Sequence, residues 1–131
     1  MDFQLYFLIQ MSTKPTIEFL SGLPEELSDV RLRRGKTSGI RNVLMIFENL
    51  RALELVNSYT RQSKGALHLI DQEGEIEVTP SSLKIRFGGE DGDDLRGVEC
   101  QFEIHEDDHW ERFMRFMHRY AEANGMGYQD S

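Results

Sequence analysis

Two alternating runs separated by an acidic, glycine-rich loop constrain this chain more than anything else in it. Leu83, Ile85 and Phe87 alternate with Lys84 and Arg86; after GGEDGDD, Val98, Cys100, Phe102 and Ile104 alternate with Glu99, Gln101 and Glu103. A period of two places one set on each face of a strand, so the pair reads as an antiparallel hairpin with one apolar face. Pairing would set Lys84 and Arg86 against carboxylates across the ladder, contributing roughly 0.2 to 1 kcal/mol per pair.

Other segments extend this sheet. Thr16–Leu20 alternates weakly and runs into the turn-like SGLPEELSD, and Val30 and Leu32 alternate with Arg31 and Arg33 before RGKTSG. Asn42–Glu48 is apolar on both parities, which predicts a central strand covered on both sides. Leu67–Ile70 and Glu75–Val78 flank Asp71-Gln72-Glu73-Gly74, a further hairpin.

Two helical patterns accompany the strands. Ala52, Leu55, Val56 and Tyr59 fall on one side of a helix that ends near Gly65. In the second, Trp110, Phe113, Met114, Phe116, Met117, Tyr120 and Ala121 cover one broad side while Arg112, Arg115 and Arg119 line the other. Asp107 or Asp108 is the expected cap, and Gly125 the stop. The expected fold is α+β: one domain, a twisted antiparallel sheet with two helices packed on it. The domain spans residues 11–125, after an N-terminal extension at 1–10 and before a flexible tail at 126–131.

At 131 residues, 39% hydrophobic, the chain has material for one core. The net charge of −8 argues against general nucleic-acid binding, which relies on Lys and Arg to neutralise phosphates. Charge is unevenly spread: Met11–Ile70 carries nine basic and six acidic residues, Asp71–Asp108 three basic and thirteen acidic. Such asymmetry favours oriented docking. The opening MDFQLYFLIQ is shorter than the ~20 residues of a membrane span and has no basic start.

Catalytic and metal motifs are weak. Cys100 is the sole cysteine, which excludes a disulfide within the chain and a multi-thiolate zinc site, and its alternation with Val98 and Phe102 reads as a small buried side chain. The acidic loop lacks the register of an EF-hand, and His105, His109 and His118 lack ligand spacing. No nucleophile elbow or phosphate-binding glycine loop is present, so the expectation is a protein that is not an enzyme.

Candidate binding residues are the exposed cations. The hairpin RLRRGKTSGIR places Arg31, Arg33, Arg34, Lys36 and Arg41 within eleven residues. It reads either as a solvated edge whose charge prevents aggregation or as a prong for an acidic protein surface or anionic headgroups. The ridge Arg112, Arg115 and Arg119 is the second candidate, and any open sheet edge can accept a partner's strand. An alternative use of the basic hairpin is a small RNA-binding module.

The segments PTIEFLSGLPEELSDV, LHLIDQEGEIEVTPSSLKIRFGG, GDDLRGVECQFE and DHWERFMRFMHRYAEANG resemble the Psb28 family of photosystem II reaction-centre proteins, from about Pro15 to Gly125. That resemblance implies a cofactor-free assembly factor, soluble when unbound. It would bind photosystem II intermediates transiently on the cytoplasmic side of the thylakoid membrane. The implied partners are photosystem II core subunits, namely the inner antenna protein and the reaction-centre loops near the quinone acceptor side. Membrane association would be peripheral, through protein, with no nucleic acid and a monomeric free form. It also implies an antiparallel sheet, carrying helices, that a partner segment can extend. The family supplies no catalytic residue, and the leading decapeptide departs from its pattern.

Overall fold

A computed structural model describes residues 14–54 and 66–127. Its strands are β1 (Thr16–Leu20), β2 (Leu23–Glu25), β3 (Asp29–Arg34), β4 (Arg41–Phe47), β5 (Leu67–Asp71), β6 (Gly74–Val78), β7 (Ser82–Gly88) and β8 (Asp94–Ile104). Its helices are α1 (Arg51–Glu54), between β4 and β5, and α2 (Asp107–Ala123), after β8. The strands form two four-stranded sheets, ordered β2-β1-β5-β6 and β3-β4-β8-β7, with every pairing antiparallel.

This corrects the expectation of one sheet carrying two helices. The difference arises from pairing: β1 lies between β2 and β5 and pairs with no strand of the β3-β4-β8-β7 sheet. Within SGLPEELSD, Gly22, at a φ of 84°, turns the chain back so that β2 pairs with β1. The expected turn thus contains an edge strand. The first expected helix is described only over Arg51–Glu54; its predicted continuation through Leu55, Val56 and Tyr59 to Gly65 lies outside the described residues.

The core follows from register. On one face of the second sheet Val43 stands opposite Phe102, Met45 opposite Cys100 and Phe47 opposite Val98, all essentially inaccessible to solvent. Ile17, Leu67 and Leu69 meet them from the first sheet, and Phe19 approaches Phe47 edge-on with ring centroids 5.6 Å apart. Helix α2 completes the core with Phe113, Phe116, Met117 and Tyr120; the Phe113 ring stands at 87° to that of Phe102. Burying side chains of this size contributes about 1.5 to 3 kcal/mol each.

Strand β4 lies inside its sheet, as its apolar run predicts. Its outer face is only half covered, however, at Asn42, Leu44 and Ile46. Gly97 permits β8 to pass β4 closely, since a Cβ there would lie 2.8 Å from the Phe47 carbonyl oxygen.

Two buried polar contacts tie the β2 segment to the helices. The Glu25 carboxylate accepts the backbone N–H groups of Arg51 at 2.7 Å and Ala52 at 2.9 Å, which answers the unsatisfied donors at the start of α1. The Tyr120 hydroxyl accepts the Leu27 N–H at 3.0 Å and donates to the Glu25 carbonyl at 3.4 Å. Helix α2 ends at Asn124 and Gly125, the latter at a φ of 65°. Its N-cap is Glu106, which makes no side-chain cap bond; Asp107 and Asp108 fall in the first turn, where they complement the helix dipole.

Candidate docking surfaces

The β3–β4 hairpin is the basic hairpin expected from the sequence. Its strands pair from Asp29–Ile46 to Arg34–Arg41, and the tip closes through Gly35 N–H to Ile40 O at 2.8 Å and Gly39 N–H to Gly35 O at 3.0 Å. Arg33, Arg34 and Lys36 are exposed there, and among the described residues none of them is held in an ion pair. Arg31 stands 3.5 Å from Asp29, with both side chains more than half exposed. Such a pair contributes little, so Arg31 stays available.

Arg41 does not belong with them. Its side chain is only 14% exposed, pairs with Asp107 at 2.9 Å and lies over the Trp110 ring at 5.2 Å from the centroid. It joins the start of β4 to the start of α2 through an ion pair and a cation–π contact.

The helical ridge is likewise committed within the molecule. Arg112 forks onto Asp71, Nη2 to Oδ1 at 2.7 Å and Nη1 to Oδ2 at 3.0 Å. Arg115 forks onto Glu73, Nε to Oε2 at 2.9 Å and Nη2 to Oε1 at 3.0 Å. Arg119 bridges both carboxylates, bonding Asp71 Oδ2 at 3.0 Å and also Glu73 Oε2. The Asp71 side chain is wholly buried. Burial alone would raise its pKa, but the hydrogen bonds from Arg112 and Arg119 outweigh burial and hold the carboxyl below its ordinary value. Glu73 is drawn down to about 2 by its hydrogen bonds to Arg115 and Arg119. The ridge therefore clamps α2 to the β5–β6 turn. The i, i+3, i+7 spacing of these arginines was visible in the sequence; that two turn carboxylates would fold beneath them was not.

The surface that sequence reading missed is β7. It is the edge of its sheet and every residue from Ser82 to Phe87 is exposed. Leu83 lies opposite Cys100 and Ile85 opposite Val98, so both continue the core-facing rows of β4 and β8. Nevertheless Leu83 is 49%, Ile85 39%, Phe87 60% and the neighbouring Leu95 41% exposed. The expected hairpin is present, but its apolar face projects beyond what the first sheet and α2 cover. Lys84 faces Glu99 as expected, whereas Arg86 faces Gly97 rather than a carboxylate.

Two open hollows flank the end of α2. One, of about 280 Å³, is lined by Pro15, Gln72, Arg119, Glu122 and Ala123; the other, of about 320 Å³, includes Lys14, Glu25, Arg51 and Tyr120. Neither brings a nucleophile to a base. Cys100 is buried, and burial pushes its thiol up to about 11. Glu106, Asp108 and His109 converge to within 4.8 Å, but all three are exposed and His109 Nε2 already meets Glu106 at 3.3 Å. None of the described helices is long and apolar enough to cross a membrane.

The described residues thus form a packed two-sheet body that presents a cationic hairpin and an open apolar edge. Comparison with known proteins makes this specific. The model of the family described as Psb28 protein matches residues 17–128, and the chain belongs to that family. It is 34% identical over 116 residues to the photosystem II reaction center Psb28 protein of Acaryochloris marina, spanning 88% of this chain and 96% of that one. The protein of the same name from a Synechococcus species is 35% identical over 113 residues, 86% and 96% of the two chains. That of Guillardia theta is 31% identical over 113 residues, 86% and 92%.

Proposed function

We propose that this chain is a non-catalytic photosystem II assembly factor. It binds transiently to reaction-centre intermediates at the cytoplasmic face of the thylakoid membrane, near the inner antenna subunit and the quinone acceptor side. The observation that carries this reading is the family match over nearly all of the described domain. Peripheral attachment through protein partners agrees with the lack of a membrane-crossing helix among the described residues.

Docking uses two elements. Arg31, Arg33, Arg34 and Lys36 meet an acidic protein surface, where exposed charge steers encounter and fixes orientation. The β7 edge accepts a strand from the partner, which covers Leu83, Ile85 and Phe87. Arg41, Arg112, Arg115 and Arg119 leave the set of contact residues because intramolecular partners hold them. The RNA reading gains nothing from the geometry: Asp29–Arg41 contains no aromatic side chain on which a base could stack.

A tagged chain incubated with cyanobacterial membrane extract should recover photosystem II core subunits without the lumenal oxygen-evolving proteins. Recovery of no photosynthetic subunit would overturn the proposal. Tight retention of RNA at physiological salt would favour the alternative.

A further inference from the structure

We infer that β7 selects the chemistry of the strand it accepts: an extended segment of another protein in which acidic and apolar residues alternate. This inference rests on the reading of β7 as a strand acceptor and adds the code by which it chooses.

Directly opposed residues in a ladder point to the same face, whichever way the added strand runs. A strand laid beside β7 therefore sets one of its rows against Leu83, Ile85 and Phe87 and the other against Lys84 and Arg86. The first row must be apolar to cover side chains that are 39–60% exposed. The second meets two cations two residues apart, neither held in an ion pair among the described residues. Carboxylates at matching positions complement both. Beyond Phe87 the loop carries Glu90, Asp91 and Asp93 and β8 begins with Asp94, all exposed, which repels acidic residues there and draws the acidic pair back to Lys84 and Arg86.

The same two cations disfavour a second copy of this chain. Antiparallel pairing of β7 with itself, kept in phase so that apolar faces match, sets Lys84 against Arg86 when centred on Ile85. Centred on either cation, it sets that cation against its own image. The in-phase registers centred on Lys84, Ile85 or Arg86 thus all oppose like charges, which destabilises a ladder. The edge stays open for a partner of opposite charge.

The test uses the full chain with three capped peptides: one alternating glutamate with valine, one alternating lysine with valine, and a shuffle of the first. Affinity is read by fluorescence anisotropy and location by amide hydrogen exchange. The glutamate peptide should bind roughly three- to thirtyfold tighter than the lysine peptide at low salt, with protection over residues 82–88. The shuffle should bind least. Lys84→Glu combined with Arg86→Glu, at exposed positions, should reverse the preference while leaving circular dichroism unchanged. Lys84→Glu alone sets the introduced carboxylate against Arg86 of a second copy in the register centred on Ile85, and should shift sedimentation towards a dimer. Equal affinity for the two alternating peptides, or a wild-type dimer sealed through β7, would overturn the code and leave strand addition standing. If no alternating peptide protects β7, strand acceptance falls as well.

Discussion

The arginines of α2 and those of the β3–β4 hairpin look alike in sequence and have opposite roles in the fold. Arg112, Arg115 and Arg119 each find a carboxylate of the β5–β6 turn, one of which, Asp71, is removed from water altogether. Arg33, Arg34 and Lys36 project from a hairpin tip and are held in no ion pair among the described residues. The first group holds a helix in place; the second remains free to attract. A cluster of positive charge therefore marks a binding surface only once its internal partners have been accounted for, and local sequence does not show partners that are forty residues away.

Breaking the clamp should give the largest effect. Asp71→Ala leaves Arg112 and Arg119 half-buried without their shared acceptor. The expected loss of stability is about 2 to 3 kcal/mol by chemical denaturation, below the range for fully buried pairs because both arginines keep some contact with water. Binding to photosystem II membranes should persist wherever the variant remains folded. Reversing Arg33, Arg34 and Lys36 to Glu should do the opposite. Stability should move by no more than about 0.5 kcal/mol, as is usual for exposed positions, while capture of photosystem II subunits falls about tenfold or more and loses its sensitivity to salt. Unchanged capture would dismiss the hairpin as a contact. Single truncations sharpen the contrast at smaller scale. Arg115→Ala should lower the denaturation midpoint by a small but detectable amount, well short of Asp71→Ala because its forked pair is open to solvent, and Arg33→Ala should not move it.

The legible parts of the fold were those with a local period. The strand Thr16–Leu20, the two hairpins built on β5–β6 and β7–β8 and the last helix all follow from alternation or an amphipathic stripe bounded by glycine. The split into two sheets was not legible, because alternation marks a strand without naming its neighbour, and β1 pairs with the distant β5 while β4 pairs with β3 and β8. The three-residue strand Leu23–Glu25 carries no period and exists through its pairing with β1. At the candidate site, the exposure of Arg31, Arg33, Arg34 and Lys36 was readable, since a polar turn must lie at the surface. The withdrawal of Arg41 onto Trp110 and Asp107 depended on β4 starting where α2 starts, which register settles. Leu83, Ile85 and Phe87 misled for a related reason. Alternation reveals that a strand has an apolar face, but not whether anything covers it.

The smallest expected effect also separates the two regions, through acid. Glu73 has a folded-state value of about 2 against an ordinary 4.5, and Asp71 is also lowered, from 3.8. For a carboxyl whose folded value is depressed, the folded form binds its proton less readily than the unfolded form, so protonation favours unfolding. The contribution of Glu73 is complete above its unfolded value near 4.5, declines as pH falls through the interval, and is gone below about 2, and that of Asp71 is likewise lost as pH falls below its ordinary value. Stability measured from pH 6 to pH 2 should therefore fall in the wild type beginning near pH 4.5. Glu73→Gln should flatten the upper part of that fall, and the Arg33, Arg34 and Lys36 reversal should leave it in place, since among the described residues no depressed carboxyl depends on those cations. A wild-type profile with no decline between pH 4.5 and 2, or one that only the hairpin variant alters, would mean that the charge holding the molecule together sits elsewhere than under the last helix.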